Sequence, residues 1–375
     1  MTKSEDPRRV ALAALEELDT GAYLNLSLPA RLSRSSMTDR DRRFVTHLVY
    51  GTARMKRACD WLVDRFLVRD VEPSVRATLR LGAYQLVYLG TPAHAAVSAT
   101  VEVAPSKAKG LVNAVLRRVA ADLPPAWPDD ATRLSYPDWI IERLRADLGE
   151  VDALAALEAM NVPAEVTTRA DGYVQDLASQ WVAGLVGAQA GERVLDLCAA
   201  PGGKATLLAQ TGAQVVASEV SLVRSRLVGE NARTTASALS IVTADGRRSP
   251  FRPSSFDRVL VDAPCSGLGV LRRRPDARWR KAESDLTGLV SLQRELIGAA
   301  LELVRPGGTV VYSVCTVTRA ETVDIDAWVR AEHPGLEVVE PPVAPWRPWG
   351  SGAILLPQDA GTDGMWVTGY ISPRR

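Results

Sequence analysis

Cysteine and histidine are scarce in this 375-residue chain, which holds four of the first and three of the second. Cys59, Cys198, Cys265 and Cys315 are too scattered for a disulfide framework, and no Cys-x-x-Cys pair occurs. Neither a disulfide scaffold nor a metal centre is therefore expected. Thiols of this kind stay free in a reducing compartment, and the question becomes whether any of them is chemically used. No apolar run approaches the length of a membrane span, and the start, Met1 to Arg9, is polar. The expectation is a cytoplasmic protein with no membrane partner. Repeats and low-complexity tracts are absent as well.

The chain also lacks a strong overall charge, at net +1, but the balance is uneven. Residues 1–135 carry 20 Lys+Arg against 15 Asp+Glu, while residues 136–375 carry 25 against 29. Much of the basic excess is arginine: Arg8, Arg9, Arg31, Arg34, Arg40, Arg42 and Arg43. The guanidinium fork suits phosphate, although +5 alone equally fits a solvated surface.

Length favours two domains. Up to about residue 120 the apolar residues repeat at helical spacing. Examples are Val10, Leu12, Leu15 and Leu18, then Leu62, Val63, Phe66 and Leu67, then Leu79, Leu81, Tyr84, Leu86 and Val87. Ser36 and Thr38-Asp39 are helix-start residues, and Gly90 with Pro92 is a stop. The expectation is an all-α domain over 1–125 with at least five helices. A connector punctuated by Pro124, Pro125 and Pro128 follows over 126–180.

Over 181–375 short β-branched runs alternate with helical stretches. They are Arg193–Leu197, Gln214–Ser218, Leu239–Thr243, Arg258–Val261, Thr309–Ser313 and Leu336–Val339. Such alternation predicts an α/β domain with a parallel sheet. The closing run Gly364–Ile371 has no helix before it and fits an antiparallel strand.

The first of these strands runs into Cys198-Ala199-Ala200-Pro201-Gly202-Gly203-Lys204. A small glycine-bearing turn from strand to helix brings backbone N–H groups against a ligand. A P-loop would place glycine at 198 and serine or threonine at 205, where Cys198 and Ala205 stand. Acids close three successive strands: Asp196, Glu219 and Asp245. An acid at the second position commonly takes ribose hydroxyls, and one at the third can accept from an adenine amino group. With no basic cluster for a pyrophosphate, the pattern favours S-adenosylmethionine over a dinucleotide.

Strand four ends in Asp262-Ala-Pro-Cys265-Ser-Gly and strand five in Tyr312-Ser-Val-Cys315-Thr. A single buried cysteine is ordinarily a small hydrophobe. Two of them at the carboxyl ends of parallel strands, where α/β sheets build their sites, point to chemistry instead. A thiolate that adds to C6 of a cytosine turns the unreactive C5 into an enamine carbon able to attack a sulfonium methyl group. Charge then develops at N3, where Asp262 is the candidate stabiliser. A free thiol is mostly protonated at neutral pH, so the nucleophile needs tuning by neighbours. Between these elements lies Arg272-Arg273-Arg274-Pro-Asp-Ala-Arg278-Trp279-Arg-Lys281. Six basic residues with one aromatic suit single-stranded nucleic acid, so Arg272, Arg273, Arg274, Arg278 and Trp279 are expected RNA contacts. The target base would have to leave its stack to reach a thiol.

Leu197-Cys-Ala-Ala-Pro-Gly-Gly-Lys204, Asp262-Ala-Pro-Cys265-Ser-Gly, Arg273-Arg-Pro-Asp276 and Tyr312-Ser-Val-Cys315-Thr together resemble the Nol/Nop/Sun RNA cytosine-5 methyltransferases. Asp60-Trp-Leu, Leu81-Gly-Ala-Tyr-Gln-Leu, Pro92-Ala-His-Ala-Ala and Lys109-Gly-Leu-Val-Asn-Ala-Val-Leu-Arg117 extend the resemblance to the bacterial RsmB (Sun, Fmu) branch. It implies a NusB-like helical RNA-binding domain before a Rossmann-like S-adenosylmethionine-dependent methyltransferase domain. The implied substrate is a cytosine of 16S ribosomal RNA, and a monomer is expected. The resemblance makes Cys315 the nucleophile, Cys265 the group that assists product release, and Cys198 to Lys204 with Glu219, Asp245 and Asp262 the cofactor site.

Two departures stand out. The ribose acid is usually aspartate in the family, and here it is Glu219. The small α/β subdomain that members carry before a Val-Gln-Asp stretch is nearly absent, since only a dozen residues separate Asn161 from Val174-Gln-Asp176. A transfer RNA substrate, or a non-catalytic RNA-binding assembly role, stays open at this level.

Overall fold

The computed structural model describes residues 5–374. Two compact units divide it. The first comprises the described residues up to Ile141 together with Arg274–Arg280; the second comprises Glu142–Arg273 and the chain from Lys281 onward.

The first unit is helical. Its main elements are α1 (Pro7–Asp19), α2 (Leu24–Ser33), α3 (Asp39–Arg54), α4 (Lys56–Asp64), α5 (Pro73–Val87), α6 (Ala93–Val103) and α7 (Lys109–Ala121). Local chemistry sets the starts. Asp6 caps α1 by accepting from the Arg8 N–H, with Pro7 in the first turn, and Thr38 caps α3 through the Asp41 N–H. Such caps satisfy backbone donors that the helix itself cannot. The periodic apolar stripes close on a common core that includes Leu24, Leu48, Leu62, Leu79, Leu81 and Leu116. Each large side chain so buried contributes about 1.5–3 kcal/mol.

Arg274–Arg280 belongs to this helical unit, although it lies between the fourth and fifth strands in sequence. Arg278 is fully buried, with its guanidinium 3.7 Å from the Tyr136 ring centre. It donates to the carbonyls of Ser135 (3.0 Å) and Arg54 (3.3 Å). Trp279 Nε1 donates to the Ala53 carbonyl at 2.8 Å. Arg280 covers the Tyr23 ring at 4.0 Å and pairs with Asp276 at 2.9 Å.

The second unit is built on one sheet of β1 (Arg193–Asp196), β2 (Gln214–Glu219), β3 (Leu239–Thr243), β4 (Phe256–Asp262), β5 (Val304–Val314), β6 (Glu337–Val338), β7 (Arg347–Trp349), β8 (Gly352–Leu355) and β9 (Met365–Ile371). The order is β3-β2-β1-β4-β5-β9-β8-β7, with β6 on β9. Strands β1 to β5 are parallel, and β9 runs antiparallel to β5. Valines and leucines such as Val194, Leu195, Val259, Leu260 and Val311 fill the central strands because helices cover both faces. The strand order reverses between β1 and β4, the switch point at whose carboxyl ends open α/β sheets place their ligands.

The alternation read from the sequence thus becomes a parallel sheet, with two differences. Leu336–Val339 supplies only a two-residue strand that is antiparallel to β9. The β7–β8 hairpin had no clear periodic signal, because Arg347-Pro-Trp349 is short and carries a proline. The expected connector 126–180 is not one element either. Helix Asp130–Leu134 falls in the first unit, and helices Glu150–Ala159 and Leu177–Leu185 fall in the second. Between the last two only a single bridge, Thr168 to Val174, is formed.

Candidate active site

Everything expected to react lies at the carboxyl ends of β1, β2, β4 and β5. After β1 the chain turns through Cys198–Lys204 into a helix, Gly203–Ala209. Gly202 adopts φ +106°, a conformation closed to most side chains, and a Cβ there would press on the Val228 backbone. The loop is tied on every side. Ala199 N–H donates to Ser218 O (2.9 Å), Arg224 donates to Ala200 O (3.0 Å), and Asn231 donates to Pro201 O (2.8 Å). Beneath it the buried Arg169 donates to Gly203 O (2.8 Å), Thr206 Oγ1 (3.1 Å) and Gln175 Oε1 (3.0 Å). Nothing in the sequence pattern marked Arg169, which stands in the short stretch where the family's subdomain is missing.

The three acids differ in setting. Asp196 is buried at the end of β1, and neither of its carboxylate oxygens has a hydrogen-bond partner. Burial, reinforced by the Asp262 charge, pushes its pKa up to about 7, against the pull of Lys204 and the nearby Cys198 N–H. Ser218 Oγ, on the neighbouring strand, is likewise buried and unpartnered. Buried polar atoms left this way are costly unless a ligand meets them. Glu219 is buried as well, and its Oε1 accepts from the Ser221 N–H (3.1 Å) and from Arg224 (3.2 Å). Asp245 is half-buried and is held by the Arg247 side chain (2.7 and 3.0 Å), which depresses its pKa. A cradle of glycine, buried acids and unpartnered polar atoms fits a cofactor that offers hydroxyl and amino donors.

At the next two strand ends the cysteines meet. Their sulfurs lie 3.2 Å apart. Asp262, last in β4, accepts from Lys204 Nζ at 2.7 Å on one oxygen and from the Ser313 hydroxyl at 2.7 Å on the other. For Lys204, burial disfavours the ammonium, but Asp262 with Cys315 and Asp196 outweighs it and its pKa is raised. Cys315 is pulled below the ordinary thiol range by the hydrogen bond from Cys265, with Lys204 assisting against burial and the charge of Asp262. Cys265 is pushed well up by that same contact, by burial and by neighbouring negative charge. The two shifts run in opposite directions, so the contact favours the thiolate at Cys315 over the thiolate at Cys265. Cys198 is pushed up by burial and by Asp196, Asp262 and Glu219, so it has no thiolate character.

A strap crosses this pair. Gly269 N–H donates to Cys315 O (3.1 Å), and Gly364 N–H donates to Gly269 O (2.8 Å). A Cβ on Gly269 would overlap the Gly364 carbonyl.

The basic run does not form the exposed stripe expected for RNA. Arg272 is buried and donates to Thr362 O (3.1 Å). Arg273 clamps Asp363 (3.0 Å) to Asp176 (2.6 Å). With Arg278 and Trp279 engaged in the helical unit, only Arg274 among the five expected contacts is exposed. Charged residues next to apolar ones read as a surface in the sequence; here aromatic rings and backbone carbonyls absorb the guanidinium groups.

Residues 183–371 match the family described as 16S rRNA methyltransferase RsmB/F, and residues 5–121 match the NusB family. A ribosomal RNA small subunit methyltransferase B of Thermus thermophilus is 36% identical, with 98% of each chain covered. One of Serratia proteamaculans is 30% identical over 88% of this chain and 91% of that relative. Among solved structures, PH0851 shares the fold with a TM-score of 0.79 at 20% identity, covering 98% of this chain and 99% of that one. NSun6 from Pyrococcus horikoshii, solved with SFG, gives a TM-score of 0.50 at 27% identity over 54% of this chain and 53% of its own.

Proposed function

The chain belongs to the RsmB/F family of 16S rRNA methyltransferases, and on that premise we propose that it methylates C5 of a cytosine in small-subunit ribosomal RNA through a covalent Cys315 adduct. The observation that carries this reading is the Cys265–Cys315 sulfur pair beside the Lys204–Asp262 ion pair. S-adenosylmethionine, the cofactor of the family, supplies the electrophilic methyl group. Cys198–Lys204, Asp196, Glu219 and Asp245 would hold it.

The remaining chemistry falls to this chain's residues. Cys315, whose thiolate is favoured by the contact with Cys265 and by Lys204, adds to C6 of the base. Asp262 and Lys204 face the charge that develops around N3 and O2, so the addition costs less than in water. Once C5 has been methylated, a base such as water must take the C5 proton; the C–H pair forms C5=C6, and the C6–S bond breaks with its pair on Cys315, which leaves as the thiolate. Cys265, paired with the departing sulfur, is the group that assists this release.

Arg274 and the N-terminal arginines would contact phosphates, making binding steeply salt-dependent. The protein would act as a monomer in the cytoplasm.

Incubation with labelled cofactor and small-subunit ribosomal RNA, followed by mass-spectrometric mapping, tests the proposal. The expected product is a single 5-methylcytosine in 16S rRNA. RNA binding without methyl transfer would indicate an assembly factor, a reading that the stub in place of the family's subdomain favours. Modification of transfer RNA alone would reassign the substrate.

A further inference from the structure

Glu321 follows Cys315 by six residues and is fully buried. Its Oε1 accepts from the Ser266 N–H at 2.7 Å and from Gln293 Nε2 at 3.1 Å, and its Oε2 accepts from the Thr318 hydroxyl at 2.9 Å. All three donors are neutral. Its own backbone carbonyl accepts from the Tyr312 hydroxyl at 2.9 Å. Gln293 donates a second bond, at 3.0 Å, to Pro264 O, and the Ser266 and Thr316 hydroxyls meet at 2.7 Å. The segment Pro264–Ser266, which carries one cysteine, is thereby pinned to the segment Thr316–Glu321, which follows the other.

We propose that Glu321 is a positioning residue for the methyl-transfer reaction, one that holds the Cys265 thiol against the Cys315 sulfur through the Ser266 backbone. The inference rests on the reading of Cys315 as nucleophile. A neutral shell around a buried carboxylate is an expensive arrangement for packing alone, because an apolar side chain of similar volume would fill the same space without desolvating a charge. What the carboxylate adds is direction. Its charge bears on Cys265 and opposes ionisation there. On Cys315 the charges of Asp262, Lys204 and Asp363 weigh most. The Glu321 charge therefore disfavours the thiolate at Cys265, which favours Cys315 as the thiolate donor to C6. The same bonds fix the distance that Cys265 must keep to assist the departing sulfur later.

The test is competitive alkylation of the full-length protein, without RNA or cofactor, by limiting iodoacetamide. Peptide mass spectrometry reads the Cys315:Cys265 labelling ratio. Wild type should label mainly at Cys315. In Glu321→Gln the ratio should fall by roughly threefold or more, because reactivity follows the thiolate fraction. An unchanged ratio in a variant that still binds S-adenosylmethionine overturns the proposal. Should Glu321→Gln fail to fold, Glu321→Asp keeps the charge but withdraws it by one methylene. The same fall is then expected, and an unchanged ratio again overturns the proposal. Failure of the nucleophile assignment would appear separately, as methylation retained by Cys315→Ala.

Discussion

Lys204 and Asp262 are 58 residues apart in sequence and meet in an ion pair of 2.7 Å beside the two cysteines. The lysine closes the Cys198–Lys204 turn and the aspartate closes β4, so one contact joins the turn proposed to hold the cofactor to the strand end proposed to face the base. Its charge also favours the Cys315 thiolate. Lys204→Met should slow single-turnover methyl transfer by about a hundredfold or more. Alkylation of Cys315 should shift to higher pH, since the cation that favours its thiolate is gone. A pH profile identical to wild type would remove Lys204 from the activation of the thiol.

The two cysteines should fail in different ways. Cys315→Ala is expected to bind S-adenosylmethionine normally and to form neither product nor adduct. Cys265→Ala is expected to accumulate a protein–RNA adduct that survives denaturing electrophoresis. An adduct formed by Cys315→Ala, with Cys265→Ala silent, would reverse the two roles.

Arg169 holds the start of the helix after the cofactor loop through Gly203 O and Thr206. Arg169→Ala should weaken S-adenosylmethionine binding by roughly tenfold, the worth of about one charge-assisted hydrogen bond. Titration calorimetry measures this directly, and RNA affinity serves as the control that should not move.

Asp196 titrates near 7 in the cofactor-free protein, well above an ordinary carboxylate. An acid whose pKa is raised on folding costs nothing while both states are protonated, below pH about 4. The cost grows as pH rises and is complete above pH about 7, where it is roughly 4 kcal/mol at most. Asp196→Asn removes that cost. Its melting temperature should exceed that of wild type at pH 8, and the gap should narrow steadily toward pH 5. A gap independent of pH would mean that Asp196 is not ionising within the fold.

Arg278 is expected to matter for stability. Arg278→Ala would leave a cavity against Tyr136 and remove one donor from each of two carbonyls. A loss of about 2–4 kcal/mol follows for the helical unit. Chemical denaturation reads it, and an unaffected midpoint would place the side chain outside the core.

The cysteine strands, the cofactor turn and the helical first unit are legible in the sequence because each is a local pattern: a 3.6-residue period, a β-branched run, a glycine turn. Less legible were the fate of the basic run and the identity of the groups that tune Cys315. Six basic residues in ten look solvated until rings distant in sequence enclose Arg278 and Arg280 and a backbone carbonyl takes the Trp279 N–H. The tuning of Cys315 rests on Cys265, just past the end of β4, and on Lys204, in the helix after β1, so no spacing announces it.

The order of residues alone determined which side chains stand at the ends of β1, β2, β4 and β5, since alternating runs and their terminators are written along the chain. Only the tertiary structure decided which of them touch. Strand order brings β4 between β1 and β5, and that adjacency converts separate motifs into two sulfurs in hydrogen-bond contact and a lysine paired with an aspartate. Electrostatic coupling falls off with distance in space, and distance in space is what folding sets.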